Sequence, residues 1–173
     1  GNKGAALTTY ISLAGRYCVL MPNTARGGGI SRKITNANSR RTLKGILNAL
    51  DIQEGMGVIM RTAGMERNRS EIKRDYDYLV RSWDEIRELT LKSSAPTLLY
   101  EEANLIKRAI RDLYSRETEE ILVDGTEAYQ TAKKFMRLLM PSHAKRVQPY
   151  RDPKFPLFFR YQVEGQLDAM YSP

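Results

Sequence analysis

Short apolar runs separated by turn-forming residues predict strands in the first third of the chain. Residues 7–21 are rich in β-branched, aromatic and aliphatic types, and they predict one or two strands with a break at Ala14-Gly15. Apolar side chains occupy both faces of the second piece, which predicts an interior strand with Cys18 in the core. Alternation at 30–34 predicts a further short strand, and the apolar run at 58–60 predicts a buried one.

Amphipathic helices account for much of the remaining pattern. Residues 39–50 and 70–92 place apolar side chains three and four positions apart, and we predict Ser70 as the N-cap of the longer helix. We assign the charged residues of this helix, Asp75 among them, to a solvated face. The elements predicted after it are a helix at 102–116, a strand at 121–123, a helix at 126–140, a strand around Val147 and a final helix at 156–170.

The order of these elements predicts the fold class. The first hundred residues predict an α+β arrangement, a mixed sheet with two helices. From residue 102 onward, helices and strands alternate, and this alternation predicts a small parallel α/β unit.

The distribution of charge narrows the range of possible ligands. The chain has 173 residues and a net charge of +8, and its first fifty residues contain eight Lys and Arg but no Asp or Glu. This acid-free block, residues 1–50, should attract polyanions. Nucleic acid fits it better than an anionic membrane, because the block is glycine-rich and is not one amphipathic helix. No apolar run could span a bilayer, no secretion signal opens the chain, and Cys18 is the only cysteine, so we expect a cytoplasmic protein.

The residues that could perform catalysis are isolated from one another. His143 is the only histidine, and it lies in a predicted exposed loop beside Pro141, Ser142 and Lys145, where nothing in the sequence pairs it with a nucleophile. Glu101 and Glu102 are adjacent, so their side chains diverge on a helix and form no two-metal site. The three glycines at 27–29 are not followed by Gly-Lys-Ser/Thr, which excludes a nucleotide P-loop. The residues alone indicate binding rather than catalysis.

Residues 55–65 contain the most specific candidate site. Arg61 follows the predicted buried strand directly, Thr62 comes next, and glycines lie on both sides of the segment. A planar guanidinium beside a hydroxyl and backbone amides suits a terminal phosphate. The alternative is a strand that ends in an ordinary turn, with Arg61 solvated.

Eight short segments spread along the chain form one ordered series. They are NKGAALTT at 2–9, ISLAG at 11–15, VLMP at 19–22, GGISR at 28–32, EGMG at 54–57, RTAG at 61–64, PLF at 156–158 and YQVE at 161–164. In this order and at this spacing they resemble the ribonuclease E/G family of bacterial endoribonucleases, and most of all its ribonuclease E branch. The resemblance spans essentially the whole chain.

The resemblance implies a division into parts of a longer enzyme. Residues 1–9 would be the exit of an oligonucleotide-binding barrel, residues 10–106 a 5′-sensor subdomain, and residues 107–173 part of a ribonuclease-H-like subdomain. The whole enzyme would hydrolyse single-stranded RNA in RNA processing and decay. Its magnesium-binding aspartates, and the cysteines that share zinc between protomers, would lie outside this chain. We therefore expect a fragment that holds no cofactor and is inactive by itself.

The resemblance also implies a ligand and partners for the enzyme. The ligand would be single-stranded RNA with a 5′-monophosphate. The whole enzyme would be a cytoplasmic homotetramer and a component of the degradosome. Any association with the inner membrane would come from regions beyond this chain.

The resemblance also assigns sensor residues one by one. Arg61 would clamp the 5′-monophosphate, and Thr62 would add its hydroxyl and backbone amide. Gly15 would let the terminal nucleotide approach closely. The other implied contacts are Val19 against the base, Arg32 supporting the pocket from the neighbouring strand, and Lys3 on RNA at the barrel exit. Two alternatives remain beside this assignment: a general single-strand RNA-binding module without end selectivity, and a scaffold for oligomer contacts.

Overall fold

The computed structural model describes residues 7–24, 28–102 and 104–171. The chain forms two compact units, with the division after residue 103. Within the described ranges, no helix combines the length and the apolar character needed to cross a membrane. A mixed sheet in the first unit and a small parallel sheet in the second confirm the predicted fold class.

The first unit is built on a four-stranded mixed sheet. Its strands are β1 (Leu13–Ala14), β2 (Cys18–Met21), β3 (Gly29–Ile30) and β4 (Gly57–Met60), in the order β1-β2-β4-β3. β2 is antiparallel to both of its neighbours, whereas β3 is parallel to β4. The break at Ala14-Gly15 and the interior position of β2 are therefore confirmed.

Side-chain alternation gives this sheet one covered face and one partly open face. Cys18 and Leu20 of β2 and Met60 of β4 are fully buried on the covered face. Val19 and Ile59, which are cross-strand neighbours, are half-buried on the opposite face. The apolar positions of both faces follow from the two-residue period of a strand.

Two helices complete the first unit, α1 (Ala37–Asn48) and α2 (Arg69–Lys92). They bury Leu43, Ile72 and Leu79 in the same core as the sheet. The predicted cap at Ser70 is wrong, because the N-cap of α2 is Asn68, two residues earlier. The side chain of Asn68 accepts the Glu71 N–H at 2.9 Å, and the Glu71 carboxylate accepts the Asn68 N–H at 3.2 Å. This reciprocal pair is a capping box, which satisfies two helix-end donors at once.

The segment predicted as a strand at 30–34 is mostly a turn. Only Gly29–Ile30 pairs with β4, and the Ile34 N–H donates to the Ser31 carbonyl at 3.1 Å. The guanidinium of Arg40 donates to the carbonyls of Ser31 and Ile34 at 3.1 and 3.0 Å. A side chain from α1 thus closes the turn, and local alternation gave no sign of that contact.

The second unit is a βαβ arrangement with additional helices. Strands β5 (Ile121–Val123) and β6 (Val147–Pro149) are parallel, as predicted. Its core includes Ala132, Phe135 and Met136, which all lie on one helix between the strands. The helices are α3 (Leu105–Leu113), α4 (Thr126–Leu139), α5 (Leu157–Arg160) and α6 (Glu164–Tyr171). The single final helix predicted from the sequence is therefore two short helices, with Gln162 at a φ of 56° between them.

Candidate functional site

Arg61 is anchored at the end of the sheet by two backbone carbonyls. It follows β4 directly, and its N–H donates to the carbonyl of Tyr17 at 2.8 Å. Its guanidinium Nη1 donates to the carbonyl of Gly15. The side chain remains half-buried. The turn between β1 and β2 therefore fixes the orientation of this guanidinium.

Thr62 lies beside Arg61 at the start of a short 3₁₀ helix, Thr62–Gly64, and is exposed. The helix is closed by the Gly64 N–H, which donates to the Arg61 carbonyl at 2.9 Å. Gly64 itself is buried, and a Cβ atom there would lie 3.2 Å from the carbonyl oxygen of Tyr17. The glycine after Thr62 therefore allows the helix to pack tightly against the turn that also holds Arg61.

Asp75 organises the β1–β2 turn from below. Its carboxylate accepts the backbone N–H groups of Arg16, Tyr17 and Cys18 at 2.9, 2.7 and 3.0 Å. It also lies 3.4 Å from the Cys18 sulfur, which donates to it. Asp75 is 1% exposed, so its assignment to a solvated face was wrong. It is the most important residue of the site that sequence reasoning missed.

Gly15 leaves space for this carboxylate. A Cβ atom at residue 15 would lie 2.8 Å from both Cγ and Oδ1 of Asp75. The absence of a side chain at Gly15 is therefore explained by internal packing. Its carbonyl, in contrast, points to Arg61. Gly15 thus connects the buried carboxylate to the guanidinium of the candidate site.

Burial is the main cause of the shifted pKa values of Asp75 and Cys18, the two ionisable groups that pack under the β1–β2 turn. Burial raises the pKa of Asp75, although the N–H bonds from residues 16–18 oppose the shift. Burial, followed by the neighbouring Asp75 charge, raises the pKa of the Cys18 thiol far above its ordinary range, and the positive charge of Arg61 opposes this. The thiol therefore stays protonated, and Cys18 is confirmed as a core residue.

Several arginines surround Tyr17, the residue whose carbonyl anchors Arg61. The guanidinium carbon of Arg16 lies 5.5 Å from the Tyr17 ring centroid, and that of Arg67 lies 5.9 Å from it. Both distances suit a cation–π contact. Three arginines thus converge on one sheet end, where Asp75 is the buried acidic group. This concentration of positive charge should favour an anionic ligand.

Val19 lies in a row of small and branched side chains on the partly open sheet face. The strand register places it between Ala14 and Ile59, and Ile59 is in turn paired with Gly29. A Cβ atom at Gly29 would meet nothing within 4 Å, so this end of the row is open. The row offers a flat apolar surface of the kind on which an aromatic base can pack.

Arg32 does not lie in a strand, which corrects the expectation that it supports the pocket from one. It is exposed in the turn after β3. The preceding residue, Ser31, donates its N–H to the carbonyl of Met60 at 2.9 Å. Arg32 and Arg61 therefore follow neighbouring parallel strands that end together. Lys3, the remaining candidate, lies outside the described residues.

The structure gives His143 a partner that the sequence did not indicate. Its Nδ1 lies 2.7 Å from the Tyr114 hydroxyl, and the residue is half-buried rather than exposed. Arg146 donates to the same hydroxyl at 3.1 Å and to the carbonyl of Arg116 at 2.8 Å. These contacts join the 3₁₀ helix Pro141–Arg146 to the segment that follows α3. Across the described ranges, His, Cys, Asp and Glu side chains form no group of three or more that could hold a metal ion.

These features define a mixed α/β chain with an arginine-rich site at the end of a sheet. The family model described as Ribonuclease E/G family matches residues 12–173. The chain belongs to the ribonuclease E/G family, and the resemblance inferred from its motifs is confirmed.

Individual relatives agree with this membership. The chain is 43% identical to ribonuclease E of Haemophilus influenzae and 40% identical to ribonuclease E of Escherichia coli, over 99% of its own length in each case. It is 33% identical to ribonuclease G of Escherichia coli over 96% of its length. It spans only 18% and 16% of the two ribonuclease E relatives, and 34% of the ribonuclease G relative.

Proposed function

We propose that this chain recognises the 5′-monophosphate end of single-stranded RNA, as part of a bacterial endoribonuclease active in RNA processing and decay. The observation that carries the proposal is the anchoring of Arg61. Its guanidinium is oriented by the Gly15 carbonyl, at the common end of two parallel strands and beside the exposed hydroxyl of Thr62. An oriented planar fork suits the oxygens of a terminal phosphate.

Each proposed residue has a separate task in this recognition. Arg61 binds the terminal phosphate, and Thr62 adds its hydroxyl and backbone N–H. Val19 and its neighbour Ile59 pack against the first base. Arg32 adds positive charge from the turn after β3. Gly15 acts through its backbone, because its carbonyl orients Arg61 and its missing side chain admits Asp75. Lys3 would contact RNA upstream of the sensor.

Selectivity for the 5′ end follows from the chemistry of that end. A monophosphate is a compact dianion that matches one arginine fork and one hydroxyl. A 5′-hydroxyl lacks the charge, and a triphosphate places additional bulk where the anchored guanidinium cannot move away. Holding the RNA end near the enzyme raises the effective concentration of a downstream cleavage site. The sensor would therefore promote cleavage without taking part in it.

Cleavage itself would belong to other parts of the whole enzyme. The described residues offer no fitting ligand cluster for magnesium or zinc, and no step proposed for this chain uses a metal. We propose that residues 10–106 form the sensor subdomain and residues 107–173 part of a ribonuclease-H-like subdomain. Magnesium-dependent hydrolysis, zinc-linked tetramer formation and degradosome assembly would depend on regions beyond this chain, in a cytoplasmic enzyme.

The second candidate is RNA binding without end selectivity. The acid-free block favours it, because fifty residues with eight positive charges and no carboxylate can hold an RNA backbone. Such binding weakens steeply with salt and does not depend on the 5′ group.

One binding experiment separates the two candidates. The chain is titrated with three short oligoribonucleotides that differ only in a 5′-monophosphate, 5′-hydroxyl or 5′-triphosphate, at two salt concentrations, and Arg61→Ala is measured alongside. A monophosphate preference that persists in higher salt and disappears in Arg61→Ala supports the sensor. Equal, salt-sensitive binding of all three oligonucleotides would reject it in favour of general RNA binding.

A further inference from the structure

The second unit exposes a dense group of aromatic side chains. Phe155, Phe158, Phe159 and Tyr161 are 43%, 52%, 53% and 54% exposed, and they lie within seven consecutive residues. The chain has four phenylalanines, and the one outside this group, Phe135, is buried in the core. Aromatic surface of this kind is costly to leave in water and usually marks a binding site.

Two of these rings form a ready-made stack. The centroids of Phe155 and Phe159 are 5.6 Å apart, and the ring planes differ by only 10°. The stacked pair lines an open cleft of about 750 Å³. The other residues of the cleft wall are Arg160, Gln162, Glu164 and Gly165. Flat rings beside a guanidinium, an amide and a carboxylate offer one surface for stacking and several groups for hydrogen bonding.

Hydrogen bonds hold Phe155 in place from both sides of its backbone. The Asp152 carboxylate accepts the N–H groups of Lys154 and Phe155 at 2.8 and 3.2 Å, and it binds the Arg160 guanidinium at 2.6 Å. The Tyr150 hydroxyl donates to the Phe155 carbonyl at 2.6 Å. The N–H bond from Lys154 is the main cause of a lowered pKa at Asp152, so this carboxylate stays charged. The stack is thus positioned before any ligand arrives, which reduces the entropy lost on binding.

The surrounding sequence has the charge that a nucleic acid requires. Residues 128–163 contain eight Lys and Arg and one acidic residue, Asp152, which is paired with Arg160. The eight are Lys133, Lys134, Arg137, Lys145, Arg146, Arg151, Lys154 and Arg160. Glu164 of the cleft wall follows this segment directly. A protein partner for an apolar cleft would not need this excess, whereas a polyanion with aromatic bases matches both features.

We propose that the Phe155–Phe159 pair is a stacking platform for a base of single-stranded RNA, with Arg160 beside the phosphate of that nucleotide. Gln162 and Glu164 lie where they can contact the edge of the base. The platform is separate from the Arg61 site and does not depend on the 5′ end. The inference rests on the proposed function only in taking RNA as the ligand.

The test uses the whole chain and a short 5′-hydroxyl oligoribonucleotide that contains the fluorescent base 2-aminopurine. Stacking on an aromatic ring quenches the fluorescence of this base. The double variant Phe155→Leu/Phe159→Leu keeps apolar side chains but removes the stack, and Phe158→Leu is the matched control. We expect the double variant to lose the quenching and to bind roughly tenfold more weakly. Phe158→Leu should behave as the wild type does.

A second pair of variants tests the phosphate contact with a matched loss of charge. Arg160→Gln and Lys154→Gln each remove one positive charge from the same segment, and of the two side chains Arg160 lines the cleft. Because Arg160 also pairs with Asp152 at 2.6 Å, retained quenching of 2-aminopurine is the check that the Phe155–Phe159 stack stays in place in Arg160→Gln. We expect Arg160→Gln to weaken binding more than Lys154→Gln. Equal effects of the two would show that the segment acts only through its net charge, and would overturn the proposed phosphate contact.

The outcomes separate this inference from the sensor proposal. A double variant that is folded by circular dichroism should keep its preference for a 5′-monophosphate, and Arg61→Ala should keep the quenching. Unchanged quenching in the double variant would overturn the platform while leaving the sensor intact. Unchanged RNA affinity together with altered self-association would assign the aromatic group to protein contacts instead, and would equally overturn the inference.

Discussion

Gly15 and Asp75 share one space in the first unit. A Cβ atom at Gly15 would lie 2.8 Å from Oδ1 and Cγ of the Asp75 carboxylate, closer than real Cβ contacts occur. The same carboxylate binds the backbone N–H groups of residues 16–18, and the Gly15 carbonyl binds Arg61. The orientation of the proposed phosphate-binding arginine therefore depends on a buried acid that never touches the ligand.

This relationship predicts that Gly15→Ala lowers the stability of the fold. We expect a loss of about 1–3 kcal/mol in the free energy of unfolding, because the methyl group displaces the Asp75 carboxylate. Gly45→Ala is the matched control, since a Cβ atom there meets nothing within 4 Å and the position lies inside α1. It should stabilise the chain by about 0.5–1 kcal/mol. Urea unfolding measures both. A Gly15→Ala variant as stable as the wild type, but without a 5′-monophosphate preference, would assign Gly15 to nucleotide approach instead.

Asp75→Asn should weaken both the fold and the site. An amide group cannot accept all the N–H bonds that the carboxylate accepts, so we expect a loss of about 1–3 kcal/mol in the free energy of unfolding. Asp77→Asn is the control, because the Asp77 side chain is 42% exposed and pairs with Lys73 along the helix. It should cost about 0.5 kcal/mol or less. Equal costs for the two variants, measured by chemical denaturation, would contradict the proposed role of Asp75.

Cys18 should make stability fall at alkaline pH. Burial raises the pKa of the native thiol, whereas the unfolded thiol titrates near its ordinary value of about 9. Above that pH the unfolded state loses a proton that the native state keeps. The free energy of unfolding should therefore decrease with rising pH, by up to about 1.4 kcal/mol per unit.

The comparison with Cys18→Ser isolates this effect, since serine does not titrate in the same range. The difference in free energy of unfolding between wild type and Cys18→Ser should be constant below pH 8 and should change above pH 9. Parallel curves over the whole range would contradict the raised pKa. In the native wild type, the thiol should also resist alkylation until the protein is unfolded.

Sequence reasoning could locate the main elements of the site but not the contacts that hold it. Arg61 and Thr62 were predicted at the end of a buried strand, because an apolar run followed by polar residues is a local signal. Asp75 was missed, although its spacing from Ile72 and Leu79 places it on the apolar stripe of α2. Its partners lie 57 to 59 residues away in sequence, and only the folded chain brings them together.

At Arg32, in contrast, the sequence predicted a strand that the structure does not contain. Two isoleucines four residues apart, at 30 and 34, suggested a strand, and alternation alone cannot distinguish a strand from a turn with an apolar residue at each end. The turn forms because Arg40, on α1, binds the carbonyls of Ser31 and Ile34. Such a side chain to backbone contact has no signature in a hydrophobic pattern.

The recognition of the 5′-monophosphate by Arg61 is tested by the ratio of affinities for 5′-monophosphate and 5′-hydroxyl RNA, measured in wild type and in Arg61→Gln. Arg41→Gln is the control, because it removes the same charge from an exposed position of the acid-free block. A charged fork contact contributes about 1–3 kcal/mol, so the wild-type ratio should be roughly 5- to 150-fold. We predict that the ratio falls to about one in Arg61→Gln and is unchanged in Arg41→Gln. If both variants weaken the two RNAs equally and keep the wild-type ratio, Arg61 does not recognise the 5′-monophosphate.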